Sequence, residues 1–329
     1  MVSTPPFRSV LVTGGAGFIG SHVCDALVQA GSTVRCLDDL ATGARANVAH
    51  LEGSGRFHFV VGDVRDRTVC AEAVQGMDVV VHLAALGSVP RSIAEPLASE
   101  GANLTGMLHM LEACRTNGPR RIVFASSSSV YGDSTELPKR EGREGHPLSP
   151  YAVTKAMDEA YAGLYHRLFG LETIGLRFFN VFGERQDPNG PYAAAIPRFV
   201  LRMMAHRPPQ VHGDGHQTRD FTHVANAVHA VERAIDVTDA RAFGQVFNIA
   251  YGGRTDLLEL IGLLRVELAA ADPAIGAVGV EHGPARQGDV RDSLADTGRA
   301  QAILGFRPVL DLRKGLARTV AWYRAQAGA

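Results

Sequence analysis

Tyr151 and Lys155 stand four residues apart in the segment Ser149-Pro150-Tyr151-Ala152-Val153-Thr154-Lys155. On a helix that begins at Ser149-Pro150, this spacing stacks the two side chains on one face, one turn apart. A phenol with an ordinary pKa near 10 is a poor base at neutral pH, and a cation beside it makes the phenolate accessible. Lys155 is such a cation, and the chain has only three lysines, Lys139, Lys155 and Lys314. A third oxygen is expected from Ser126-Ser127-Ser128-Ser129, which closes the apolar run at 121–126. A hydroxyl there can donate to a substrate oxygen that becomes a carbonyl, or relay its proton to the tyrosine.

Such chemistry needs a redox partner, and the first thirty residues offer a place for one. Ser9-Val10-Leu11-Val12 is an apolar run of the kind that forms a strand buried on both faces. It leads into Thr13-Gly14-Gly15-Ala16-Gly17-Phe18-Ile19-Gly20, after which Val23, Leu27 and Val28 continue a helical stripe. The glycines therefore fall where a strand turns into a helix. Gly14 permits the tight turn, Gly17 lets backbone approach a ligand, and Gly20 lets helix and strand pack closely. The free N–H groups at that helix start suit a pyrophosphate. A second strand, Thr33 to Leu37, ends at Asp38-Asp39. An acidic residue there accepts from an adenosine ribose and repels a 2′-phosphate, so NAD is expected over NADP, with Asp38 as the acceptor. Its oxidised nicotinamide would add positive charge beside Tyr151, and Lys155 can also reach its ribose.

With 329 residues and a formal net charge of −1, without basic or acidic blocks, the chain points to neither a nucleic-acid nor a membrane-surface partner. No apolar run approaches the length of a membrane span, and Met1 to Arg8 lack a basic-then-apolar signal pattern. Cys24, Cys36, Cys70 and Cys114 are widely spaced and read as buried thiols, which implies a cytoplasmic protein. His206, His212, His216 and His223 lie in a Pro/Gly-rich stretch without HExxH or cysteine partners, so no metal is expected. His82 reads as a sheet-end residue.

The elements that must position these groups alternate. Strand-like runs at 9–12, 33–37, 57–61, 78–83, 121–126 and 172–178 are separated by helical candidates at 18–30, 66–75, 97–117 and 150–169. Alternation of this kind predicts α/β architecture, a Rossmann-type doubly wound parallel sheet whose ligands bind at the carboxyl ends of the strands. Beyond residue 180 glycine and proline become frequent, and helical candidates recur at 191–205, 224–236, 256–270 and 311–325. The run 246–249 reads as a strand returning to the main sheet. The expected division is a dinucleotide-binding domain over 1–180 with a returning segment at about 221–251. A smaller, mixed α/β substrate-binding domain would comprise 181–220 and 252–329.

The glycine loop, Asp38, Gly62-Asp63-Val64, His82-Leu83-Ala84-Ala85, Phe124 to Gly132, Ser149-Pro150-Tyr151 to Lys155 and Arg177-Phe178-Phe179-Asn180 occur in that order. In this the chain resembles the extended short-chain dehydrogenase/reductase family, and within it UDP-hexose 4-epimerases, especially those acting on N-acetylated sugars. The resemblance implies Ser127 as catalytic serine, Tyr151 as base and Lys155 as its activator. It implies a cofactor site of Gly14, Gly17, Phe18, Ile19, Gly20, Asp38, Asp63, Val64, Ala84, Ala85, Asn103, Tyr151, Lys155 and Phe178, holding NAD tightly through every cycle. For the substrate it implies Gly87, Ser88, Ser127, Ser128, Asn180, Gln186, Ala194 and Ser293, with Arg219 and Arg286 on the diphosphate and Asp289 on the uridine ribose. Guanidinium groups suit a diphosphate because they bind its oxygens two at a time. A homodimer through the helices at 97–117 and 150–169 is also implied.

Two departures narrow the expectation. Dehydratases of the family carry an acidic pair where this chain has Ser128 and Ser129, and decarboxylases a glutamate at the place of Ser129. Hexose-only epimerases commonly carry a tyrosine at the position of Ser293, where serine leaves room for an acetamido group. Together with Gly87-Ser88, Gln186 and Ala194, this favours UDP-N-acetylglucosamine/UDP-N-acetylgalactosamine, interconverted through a 4-keto intermediate. A UDP-glucuronate 4-epimerase, a nucleotide-sugar dehydratase and a non-catalytic NAD-binding sensor or scaffold remain the alternatives.

Overall fold

The structure, a computed structural model, describes residues 9–189, 193–284 and 291–328. Seven parallel strands form its central sheet: β1 (Ser9–Thr13), β2 (Thr33–Asp38), β3 (Phe57–Val61), β4 (Val79–His82), β5 (Arg121–Ser127), β6 (Glu172–Phe178) and β7 (Gln245–Ile249). Their order is β7-β6-β5-β4-β1-β2-β3. The chain winds outward from β1 in one direction, then crosses back to β4 and winds outward in the other. That reversal opens a crevice at the carboxyl ends of β1 and β4. Each strand shows its two faces in its burial. Val10 and Val12 join one apolar cluster with Val79 and Val81, whereas Leu11 joins the opposite cluster with Val80. All six are fully buried, as both faces of a parallel sheet require.

Helices α1 (Phe18–Gln29), α2 (Arg67–Ala73), α3 (Gly106–Asn117) and α4 (Pro150–Phe169) connect the strands. The ends of α4 follow from its sequence. Ser149 Oγ accepts from the Ala152 N–H, Pro150 opens the first turn, and Gly170 at φ +71° closes the last. The single helix predicted over 97–117 is broken. A short helix, Pro96–Glu100, leads into a π-helical turn at Gly101–Thr105 before α3. The turn carries Asn103, whose side chain reaches both the Leu86 backbone and Thr154.

In the second half, α5 (Ala195–Met204), α6 (Val224–Asp236), α7 (Leu257–Ala269) and α8 (Leu312–Ala327) follow. The helix predicted from 191 begins at Ala195, after an extended Ala194. Helices α5, α7 and α8 enclose a separate apolar cluster including Phe199, Val200, Leu260, Leu264 and Val320. The returning segment packs as α6 and β7 against the main sheet. Ala300, Leu304 and Phe306 also enter the core under that sheet, so the chain beyond residue 252 contributes to both units. All four cysteines are buried and free. No helix among the described residues is long and apolar enough to cross a membrane.

Candidate active site

A groove of about 510 Å³ runs along the carboxyl ends of the strands. Its floor begins with the glycine loop. Gly14 has φ +67°, and a Cβ on it would lie 2.7 Å from the Ala84 nitrogen. A Cβ on Gly20 would lie 2.1 Å from the Gly14 carbonyl oxygen, so loop and helix touch backbone to backbone. Gly15 is also confined: a Cβ there would meet Cys36 Sγ at 2.5 Å. Gly17 caps α1 without a side chain, which leaves the first-turn N–H groups of Phe18, Ile19 and Gly20 without a side-chain cap at the groove. Uncapped N–H groups at the positive end of a twelve-residue helix that lines the groove fit a dinucleotide pyrophosphate.

Asp38 and Asp39 line the same groove at the end of β2, as do Asp63 and Val64 after β3. Asp38 also braces the loop, accepting from Ala16 N–H at 2.9 Å and Leu40 N–H at 2.8 Å. Burial pushes its carboxyl up, and those two hydrogen bonds oppose the shift. Asp63 is engaged by Arg65, whose guanidinium holds the carboxyl below its ordinary range. Ala84, Ala85, Gly87 and Ser88 form the wall after β4. Asn103 stands behind that wall. Fully buried, it accepts from Leu86 N–H at 2.7 Å and donates to Thr154 Oγ1 at 3.1 Å, so it ties the wall to α4 instead of lining the groove.

Ser127, Ser128, Tyr151, Lys155 and Phe178 face the groove from the other side. Ser127 Oγ accepts from the Ser129 N–H at 3.1 Å and from Ser129 Oγ at 2.9 Å. The Lys155 ammonium is buried, donating to the Ala125 carbonyl and to Asp158 Oδ2, both at 3.0 Å. Burial alone would lower the lysine, but Asp158 and Tyr151 more than offset it, and the ammonium is held above its ordinary value. His82, at the end of β4, is bonded through Nδ1 to Thr13 Oγ1 at 2.8 Å. Burial, with the Lys155 charge nearby, lowers this imidazole to about 3, so it is neutral.

A buried ionic frame lies beside these groups. Arg177, buried on β6, binds Glu159 of α4 at 2.7 Å and also Glu144, and its guanidinium lies 4.9 Å over the Tyr131 ring. Ser126 donates to the same Glu159. In the sequence this frame is marked by acidic residues three and four positions beyond Lys155, on the helix carrying the base.

Asn180, with φ +36°, belongs both to the groove and to a second cavity of about 230 Å³. Gln186 also lines both, and Ala194 and Arg219 line the second. The two spaces thus meet at Asn180 and Gln186. Ser293 lines neither; half-buried, it donates from its backbone to Thr218 at the edge of the second unit. Arg286 and Asp289 lie outside the described residues. The clustered histidines have separate partners: His206 meets Asp272, His216 Asp256, His223 Glu184, and His212 the Pro284 carbonyl.

The profile of the NAD dependent epimerase/dehydratase family matches residues 10–250. A putative UDP-glucose 4-epimerase of Methanocaldococcus jannaschii is 36% identical over 317 residues, covering 96% of this chain and 98% of the relative. A dTDP-glucose 4,6-dehydratase of Streptomyces griseus is 38% identical over 323 residues, covering 95% and 93%. Among solved structures, the UDP-N-acetylglucosamine 4-epimerase of Methanobrevibacter ruminantium, in complex with UDP-N-acetylmuramic acid, superposes with a TM-score of 0.90. It is 35% identical, over 97% of this chain and 99% of that one.

Proposed function

Because the chain belongs to the NAD dependent epimerase/dehydratase family, we propose that it is a UDP-sugar 4-epimerase acting on N-acetylated hexoses. The observation that carries this reading is the sharing of one groove by Ser127, Tyr151, Lys155 and the glycine loop. NAD, when bound, supplies a reversible hydride acceptor. Tyr151 as phenolate takes the proton of the sugar C4 hydroxyl, helped by the buried cation one turn along its helix. Ser127 donates to the same sugar oxygen as it gains carbonyl character. Asn180 and Arg219 hold the diphosphate while the sugar turns over about that link and presents its other face. Tyr151 then returns the proton.

Epimerisation is favoured over dehydration because Ser128 and Ser129 provide no carboxyl acid. In place of one, a Ser129 hydroxyl is bonded to Ser127. The small Ala194 beside Gln186, in the cavity that meets the groove, supports an acetamido-bearing substrate. The relative whose solved complex holds UDP-N-acetylmuramic acid supports it too. Arg286 and Asp289 complete the nucleotide contacts in this reading.

We also infer a homodimer. Val153, Met157, Leu164 and Leu168 form an exposed apolar stripe along α4, and Ile93 on a short helix at Val89–Ala94 and Leu97 on the helix at Pro96–Glu100 extend it. A second copy would cover this surface.

Product NMR after incubation with a panel of plain, N-acetylated and uronic UDP-sugars tests the activity. The expected result is C4 inversion without net NADH, fastest with the N-acetylated pair. A dehydrated product, or preference for UDP-glucose, overturns the activity or the substrate respectively. Tyr151→Phe should retain NAD and lose turnover.

A further inference from the structure

Asp158 lies one turn beyond Lys155 on α4, and its side chain is 1% exposed. Oδ2 accepts from Lys155 Nζ at 3.0 Å, whereas Oδ1 has no hydrogen-bond partner among the described residues. A buried carboxylate satisfied on one oxygen is a costly way to fill space, and an apolar side chain of the same volume would serve packing better. Its return must lie in what it does to the ammonium. Lys155 has three N–H bonds: one goes to the Ala125 carbonyl, one to Asp158, and the third remains for the groove that Lys155 lines.

We propose that Asp158 is a positioning residue, the buried anion that keeps Lys155 protonated and aimed between the Ala125 carbonyl and the cofactor groove. This rests on the epimerase reading above. Without its counter-ion, an ammonium this deeply buried favours the neutral amine, and the groove loses the positive charge that lies one turn along α4 from Tyr151. The other titratable groups facing the pair leave Asp158 without a substitute. On α4, Tyr151 itself must ionise, and Glu159 is committed to Arg177 of β6. From β4 comes only neutral His82. Burial pushes the Asp158 carboxyl up to about 6 against the pull of the ammonium, so the pair is intact at neutral pH and weakens below it.

Three lysines in the whole chain make the test direct. In protein labelled at the lysine side chains, NMR resolves Lys155 from Lys139 and Lys314, with no need for turnover. Wild-type Lys155 should stay charged through neutral and mildly alkaline pH, and in Asp158→Asn it should titrate at clearly lower pH. Identical titration in both proteins overturns the proposal. So does a wild-type Lys155 that loses its proton below about pH 8, a result available even if the variant fails to fold.

In turnover, Asp158→Asn should lower kcat about tenfold at neutral pH and move its acid limb up by about one pH unit, with KM within about twofold. An acid limb that stays put or moves down overturns the assignment, because a merely structural defect lowers the amount of active enzyme without shifting the limb. Failure of the epimerase reading shows separately, as turnover surviving in Tyr151→Phe, and leaves the lysine titration to stand by itself.

Discussion

Ser129 donates twice to the Ser127 hydroxyl oxygen, from its main-chain N–H at 3.1 Å and from its own hydroxyl at 2.9 Å. With both acceptor sites of Ser127 Oγ filled, its single proton is left to point elsewhere, and the groove is the open direction. The residue type that excludes a carboxyl acid at position 129 therefore also orients the serine two positions earlier.

Ser129→Ala should accordingly reduce kcat by about tenfold while changing KM little, since it removes one orienting donor and no substrate contact. Steady-state kinetics check this, with Ser129→Thr keeping most of the rate. A rise in KM at unchanged kcat would place Ser129 on the substrate instead.

Two glycines of the loop should separate folding from cofactor binding. A Cβ on Gly17 would lie 3.1 Å from the Gly14 oxygen, a contact that small shifts relieve, and it would crowd the pyrophosphate cradle. A Cβ on Gly20 would lie 2.1 Å from that oxygen. Gly17→Ala should fold with near-normal stability and release its NAD, whereas Gly20→Ala should lose both. Nucleotide recovered from denatured protein and a thermal melt distinguish the two.

Arg177→Met should destabilise the protein by about 3–5 kcal/mol, because it strands Glu159 and Glu144 without their cation. Burial alone would lower the arginine, yet its contact with Glu159 more than compensates and raises it. Pairing with Glu159→Gln should recover part of the loss, as expected for members of one network. Urea denaturation of the three variants measures the coupling, and strict additivity would count against it.

Acid stability should depend on Glu184. Burial would raise this carboxyl, but His223 at 3.1 Å and Arg318 at 3.0 Å outweigh it and hold it at about 2. A carboxyl depressed in the folded state adds stability that is complete above its unfolded pKa, near 4.3, and is lost as pH falls toward 2. The shift corresponds to on the order of 3 kcal/mol across that window. Glu184→Gln should therefore show a flatter decline between pH 4.5 and 2, followed by denaturant midpoints at each pH.

Much of this protein is written locally. The run into Gly14, the period-two burial of Val10 to Val12 and the Ser149-Pro150 start of α4 each depend on neighbours within a turn or a strand, so pattern alone locates them. The same holds for the groups named at strand ends: a parallel sheet sends its carboxyl termini to one side, and Asp38, Ala84, Ser127 and Asn180 line the groove there. Spacing likewise set Tyr151 and Lys155 on one face of a helix. Tertiary structure decided the rest. Asn103 was expected in the cofactor wall, but the π-helical turn at Gly101–Thr105 sets it behind that wall, bonded to Leu86 and Thr154. Lys155 reaches its final environment only when β5 brings the Ala125 carbonyl to it from thirty residues away. Arg177 binds Glu159 only because β6 lies against α4. Charge and burial at such sites belong to segments that meet in space, and no periodicity along the chain encodes which of them will meet.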